Sequence, residues 1–271
     1  MTHTICFEIC AESLESAMVA EAGGADSVEL CCQLALSGMT PAPRVMVETV
    51  RALSIPVHVL IRPRGGDFVY SEAEFHLMEE ETRAAKSAGA AGIAIGFLLP
   101  DGSIDLDRTR RMVALAAPME VTFHRAFDEA ADLEQALEEI ISCGVNRLLT
   151  SGGKPTAHQG SAEIAALDKQ ARGRIRIMAG GGLTLCNLLA VARATGVSSF
   201  HGSMIRKKDL VPETTGNFGI MGNPARAPKM PSQYPGVAAE PLGSVALEDV
   251  CEAIRLLRGS HHSELDPQFV S

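Results

Sequence analysis

The sequence predicts a (β/α)8 barrel, and three observations predict it. Eight short apolar runs recur along the first three-quarters of the chain, their starts roughly 20 to 35 residues apart, the size of one strand-plus-helix unit. Helix caps and glycine stops punctuate the segments between them. The turn after the first run, Cys10-Ala11-Glu12-Ser13, has none of the glycines that open a doubly wound nucleotide-binding sheet. An open sheet of eight strands would also leave two edges to protect, and a closed ring leaves none.

In chain order, the runs predict strands at Ile5–Cys10, Ser27–Cys31, Val57–Arg62, Gly92–Phe97, Glu120–His124, Arg147–Ser151, Arg174–Ala179 and Ser199–His201. Thr40-Pro41 reads as a cap followed by a first-turn proline. Ser71 to Glu74 is a capping box, after which Phe75, Met78, Thr82 and Ala85 share one face up to Gly89. The run Glu79-Glu80-Glu81 reads as a solvated face of that helix. Asp132 and Gln135 repeat the box ahead of a stripe of Leu133, Ala136, Leu137, Ile140 and Ile141, stopped at Gly144. Thr184 opens a further helix through Leu188, Leu189 and Ala192, stopped at Gly196. The barrel should occupy residues 1–205. Residues 206–271 should form an extension packed on it rather than a second domain. That extension has a Pro/Gly/Met-rich loop from Val211 to about Gly243. A final helix follows, carried by Val245, Val250, Ile254 and Leu257 and closed at Gly259, with frayed residues from His261 on.

Composition narrows the function. The 271 residues are 46% hydrophobic and 21% charged, a globular balance. A net charge of −9 argues against broad nucleic-acid binding, which needs a basic footprint. No run of eighteen apolar residues predicts a membrane span. The start Met1-Thr2-His3-Thr4 does not resemble a secretory signal. Seven cysteines without such a signal suggest thiols in the cytoplasm rather than a disulfide framework. With no Trp and two Tyr, an aromatic cage or base-stacking platform is not expected.

A barrel works at the C-terminal ends of its strands. Glu8, Cys10, Glu29, Cys31, Arg62, Arg64, His124, Arg125, Asp128, the Gly180–Gly182 run and His201 all fall at such ends. Arg62 and Arg64, with Arg125, offer planar forks for a carboxylate or phosphate. Gly180 and Gly181 lie where many barrels hold phosphate. Glu8, Glu29, His124 and His201 are candidates for acid–base work. The same arginines would alternatively only neutralise Glu8, Glu29, Asp67 and Asp128. His58 and His76, inside a strand and a helix, suggest no role.

Four stretches, IRPRGGDF (Ile61 to Phe68), TFHRAFD (Thr122 to Asp128), LTSGG (Leu149 to Gly153) and VELC (Val28 to Cys31), closely resemble the CutC copper-homeostasis family. The resemblance runs from about Ile5 to His201. It weakens at Gly202-Ser203-Met204 and through the tail. It implies a cytoplasmic (β/α)8 barrel, usually a homo-oligomer, associated with copper handling. It also implies Cu(I) on Cys10 and Cys31, because some members bind it through cysteines at these positions. Soft Cu(I) prefers thiolates. Strand alternation gives Cys10 the facing of Glu8, and Cys31 that of Glu29, so one two-coordinate ion could bridge both sulfurs if the glutamates face inward. Cys32 must face away.

Three functions follow. The first is a cytoplasmic copper-homeostasis protein using Cys10 and Cys31, with copper or a small anion as partner and neither nucleic acid nor membrane. The second is a barrel enzyme, an isomerase, epimerase or lyase, acting on a small phosphorylated or carboxylated metabolite. There Arg62, Arg64 and the Gly180 loop would hold the anion, and His124 with Glu8 or Glu29 would move protons. The third is an oligomeric scaffold.

Overall fold

A computed structural model describes residues 5–207 and 243–263. Eight parallel strands close into a ring in sequence order: β1 (Cys6–Ala11), β2 (Ser27–Leu30), β3 (Val57–Leu60), β4 (Gly92–Ile95), β5 (Glu120–Phe123), β6 (Arg147–Thr150), β7 (Arg176–Gly180) and β8 (Ser199–Gly202). The closing pair is β1 against β8, with Glu8 opposite His201; on the other side of β1, Cys10 lies opposite Glu29 of β2. Outside the ring run α1 (Leu14–Ala22), α2 (Pro43–Ala52), α3 (Glu72–Ala88), α4 (Leu106–Ala116), α5 (Leu133–Ser142), α6 (Ser161–Ala171) and α7 (Leu188–Thr195). This is the predicted TIM-type barrel.

Side-chain alternation along each strand divides the interior in two. Phe7, Ile9, Val28, Leu30, Val59, Ile93, Phe123 and Phe200 point outward into one large apolar layer shared with the helices. Their alternates point into the lumen. There Cys10, Cys31, Leu60 and Ala94 form a separate small cluster, beside the buried charges of Glu8, Glu29, His58 and Arg147.

Each ladder differs from expectation by a residue or two at an end. Cys31, Arg62, Phe97, His124 and Ser151 lie just past their strands, because the chain leaves the ladder there to enter the loops. β7 starts at Arg176 because Arg174 turns outward to Glu138, 2.6 Å away. The capping box of α3 forms as read, and Phe75, Met78, Thr82 and Ala85 are buried. Its neighbour Glu79 corrects the solvated-face reading. It is buried, held by Arg111 of α4 at 2.6 Å. Helix α2 takes Pro43, not Pro41, in its first turn, because Thr40 is engaged elsewhere: its hydroxyl accepts from Arg62 N and donates to Glu81. Asp132 caps α5, but Gln135 reaches forward to Glu139 instead of back to the cap. Helix α7 begins only at Leu188, because Asn187 accepts the Thr184 amide in the turn before it.

Beyond β8, β9 (Ile205–Lys207) pairs antiparallel with β10 (Gly243–Val245), and α8 (Leu247–Ser263) follows. The expected Pro/Gly-rich loop lies, apart from its last residue, outside the described residues. Val245 belongs to β10 rather than to the helix, which runs through Gly259. Val250, Ile254 and Leu257 are buried as expected. Val250 rests against Gly23 after α1, and the Arg258 guanidinium donates to Asp26 at 2.8 Å. Among the described residues, no helix is long and apolar enough to cross a membrane.

Candidate functional site

The lumen is organised around Glu8 of β1. One carboxylate oxygen accepts from Arg147 at 2.6 Å and from Ser27 Oγ at 2.8 Å, and lies 3.0 Å from His58 Nδ1. The other lies 3.1 Å from His201 Nδ1. Burial alone would raise the pKa of this carboxyl. The Arg147 guanidinium outweighs it, with His201 and His58, and holds Glu8 well below the usual carboxylate range. Glu8 is therefore a fixed buried anion whose ionic partners come from β3, β6 and β8.

One layer nearer the C-terminal rim sits the thiol pair. Cys10 Sγ is 3.3 Å from Cys31 Sγ and 3.8 Å from Glu29 Oε1. His201 Nε2 is 3.8 Å from that same oxygen, so one imidazole spans from Glu8 to the thiols. Donor atoms of Cys10, Glu29 and His201 all lie within 4.8 Å of one another. The Cys31 contact and burial push the Cys10 thiol well up, so it is protonated at neutral pH. Burial opposes protonation of His201, but Glu29, Cys10 and Glu8 override it and hold the ring as an imidazolium. Burial, with the Glu8 charge, pushes Glu29 up. Leu34, Leu60 and Ala94 wall the pair off.

The donor set fits a soft metal: two buried thiols at the ends of adjacent strands, an imidazole and a carboxylate beside Cys10, and Leu34, Leu60 and Ala94 packed around the sulfurs. The sulfurs stand 3.3 Å apart, and Cys10 also shares a potential ligand cluster with Glu29 and His201. Cys32 faces away as read, its thiol on the Thr40 carbonyl.

The mouth residues form a different group. Arg62 is buried. Its two terminal nitrogens donate to the carbonyls of Leu36, Ser37, Gly38 and Gly66, so it clasps the loop over the thiols. Arg64 pairs with Glu74 at 2.6 Å and with Asp67 at 2.9 Å. Arg125 pairs with Asp128 at 2.8 Å, donates to Ser151 Oγ, and lies over Gly181. Asp128 also accepts the amides of Ser151 and Gly153. At Gly180, a side chain would collide with Leu149. His124 Nδ1 accepts the Ala126 amide at 3.1 Å, and its ring lies against Phe68. Burial first, then Arg62, drive its pKa down to about 3, so it is neutral and carries its proton on Nε2.

The structure therefore brings Cys10, Cys31, Glu8, Glu29 and His201 together. It is His201, not His124, that meets the glutamates. The expected pairing of Glu8 and Glu29 with Arg62, Arg64 and Arg125 is replaced by pairing with Arg147, His58 and His201. Arg147 and His58 were missed as site residues. Alternation carried the signal, since His58 shares the facing of Leu60, and Arg147 that of Leu149, both inside the ring.

A profile of the CutC family matches residues 5–206. A CutC family protein from Chromobacterium violaceum is 46% identical over 196 residues, 72% of this chain and 79% of that one. The human copper homeostasis protein cutC homolog is 44% identical over 202 residues, 74% of each chain. The crystal structure of CutC from Streptococcus agalactiae superposes with a TM-score of 0.71 at 32% identity, covering 74% of this chain and 99% of that one.

Proposed function

This chain belongs to the CutC family, and on that premise we propose that it serves copper homeostasis by taking up Cu(I) on Cys10 and Cys31, with His201 as third donor. The observation that carries the reading is the sulfur pair, 3.3 Å apart on adjacent strands with an imidazole beside it. Cu(I) supplies no reaction here; it is the cargo. The chain's part is to present two buried thiols as ligands. Cys10 and His201 are both protonated in the metal-free protein, so binding releases protons and affinity rises with pH. The reading also places the protein in the reducing cytoplasm, in keeping with seven free cysteines, and as a homo-oligomer.

A Cu(I) competition titration is the test. The Cys10→Ser/Cys31→Ser double variant should bind at least 100-fold more weakly than wild type, and wild type more tightly at pH 8 than at pH 6. Equal affinity of variant and wild type would overturn the assignment.

A second reading, a barrel enzyme on a small anionic metabolite, rests on a different observation. At the mouth, His124 Nε2 is a buried polar atom without a hydrogen-bond partner among the described residues. A buried donor left unpaired costs about 1–3 kcal/mol, so an acceptor beside it would be held firmly. Its test is binding or turnover of phosphorylated sugars and organic acids that is lost in His124→Gln.

A further inference from the structure

The N-terminal end of the ring, opposite the rim, holds a cavity of about 340 Å³. Its polar wall includes the first residues of three successive strands, Glu120 of β5, Arg147 of β6 and Arg176 of β7, together with Glu8, Asp26, Ser27 and Ser199. His58 lies beside them, and Met178 and Pro56 supply apolar wall. Neither the thiol pair nor the mouth uses this space.

Three nitrogen-bearing groups aim at one point. Glu120 Oε2 stands 4.0 Å from Arg147, 4.0 Å from Arg176 and 3.5 Å from His58 Nε2. A charge-assisted hydrogen bond is about 2.7–2.9 Å long, so Glu120 reaches His58 but makes no such bond to either guanidinium. Its side chain is 43% exposed and that of Arg176 is 53% exposed, so both are free to move. Arg147 is not: it is 4% exposed, and its Nε is buried without a partner among the described residues. The other carboxylates at this end are occupied. Glu8 takes the far side of Arg147, and Asp26 is held by Arg258 and the Phe7 amide.

We infer that this cavity is a second ligand site, for a small organic oxyanion: a carboxylate or phosphate ester of a few carbons, seated between Arg147 and Arg176. The volume lies at the low end for small-molecule pockets. The guanidinium pair suits an oxyanion, and the apolar wall suits a short carbon skeleton. Glu120 is the competitor that such a ligand displaces. The site lies away from the face where barrels do chemistry, so its ligand is an effector or structural anion rather than a substrate.

The test is calorimetric titration of the metal-free full chain with succinate and with glycerol phosphate at constant ionic strength. One of the two should bind saturably at one site per chain, and which one does identifies the oxyanion. Arg176→Gln should weaken that binding at least tenfold. Glu120→Gln should strengthen it severalfold by removing the competitor. Arg193→Gln, on the exposed side of α7, should leave it unchanged. The inference is overturned if neither probe saturates, if Arg176→Gln binds as wild type does, or if Glu120→Gln weakens binding. Both key positions are half-exposed, and thermal melts verify that the variants fold.

Discussion

At the scale of single residues, His124 makes the sharpest prediction. Its folded pKa is about 3, against about 6.5 for a free histidine. Between those values the unfolded chain takes up a proton that the native chain refuses, so stability rises with pH through the window. The contribution is whole above pH 6.5 and is lost as pH falls toward 3. At pH 5 the loss is about 2 kcal/mol. Urea midpoints at pH 7.5 and pH 5 should fall further for wild type than for His124→Asn, whose side-chain oxygen still accepts the Ala126 amide. The meeting of Cys10 and Cys31 was legible in the sequence, because alternation and adjacency suffice to place them. The neutrality of His124 was not, since it depends on the Phe68 ring and on Arg62, which reach it from another loop.

Among the elements, a helix start was legible where its cap is a local bargain between a side chain and the next turn, as at Ser71 and Asp132, but not at Thr40 or Thr184. Ser71 accepts the Glu74 amide while Glu74 reaches back, so Ser71→Ala should lower stability by about 1 kcal/mol in chemical denaturation. Strand ends were less legible. The apolar run continues past the ladder, and only the neighbouring strand decides where pairing stops. Glu79 shows the same limit on a helix. Three consecutive glutamates look solvated until α4 brings Arg111 against one of them. The α1–α8 contact gives a further prediction. A Cβ at Gly23 would stand 2.5 Å from Val250 Cγ1, so Gly23→Ala should push α8 outward at a cost of about 1–3 kcal/mol. Faster amide exchange in α8 than in the ring strands would register it.

For the molecule as a whole, the decisive contact is Glu8 with Arg147, joining β1 to β6 through the middle of the ring. The sequence shows eight strands but not which lumen side chains meet, because that depends on the stagger of the closed ring rather than on any one strand. Removing one partner of a buried ion pair strands the other charge, so Arg147→Met should cost about 3–5 kcal/mol. Glu8→Gln/Arg147→Met should recover at least half of it, since no uncompensated charge remains; equilibrium unfolding of the two variants decides. The last helix carries a consequence of another kind. α8 lies against α1 and α7, over the seam where β8 meets β1, yet 39 residues separate it from β9. On the ribosome, every strand of the ring is therefore made well before its clasp. A nascent chain paused in that interval shows bare apolar surface around Gly23, which makes it a natural client for chaperones until the clasp emerges.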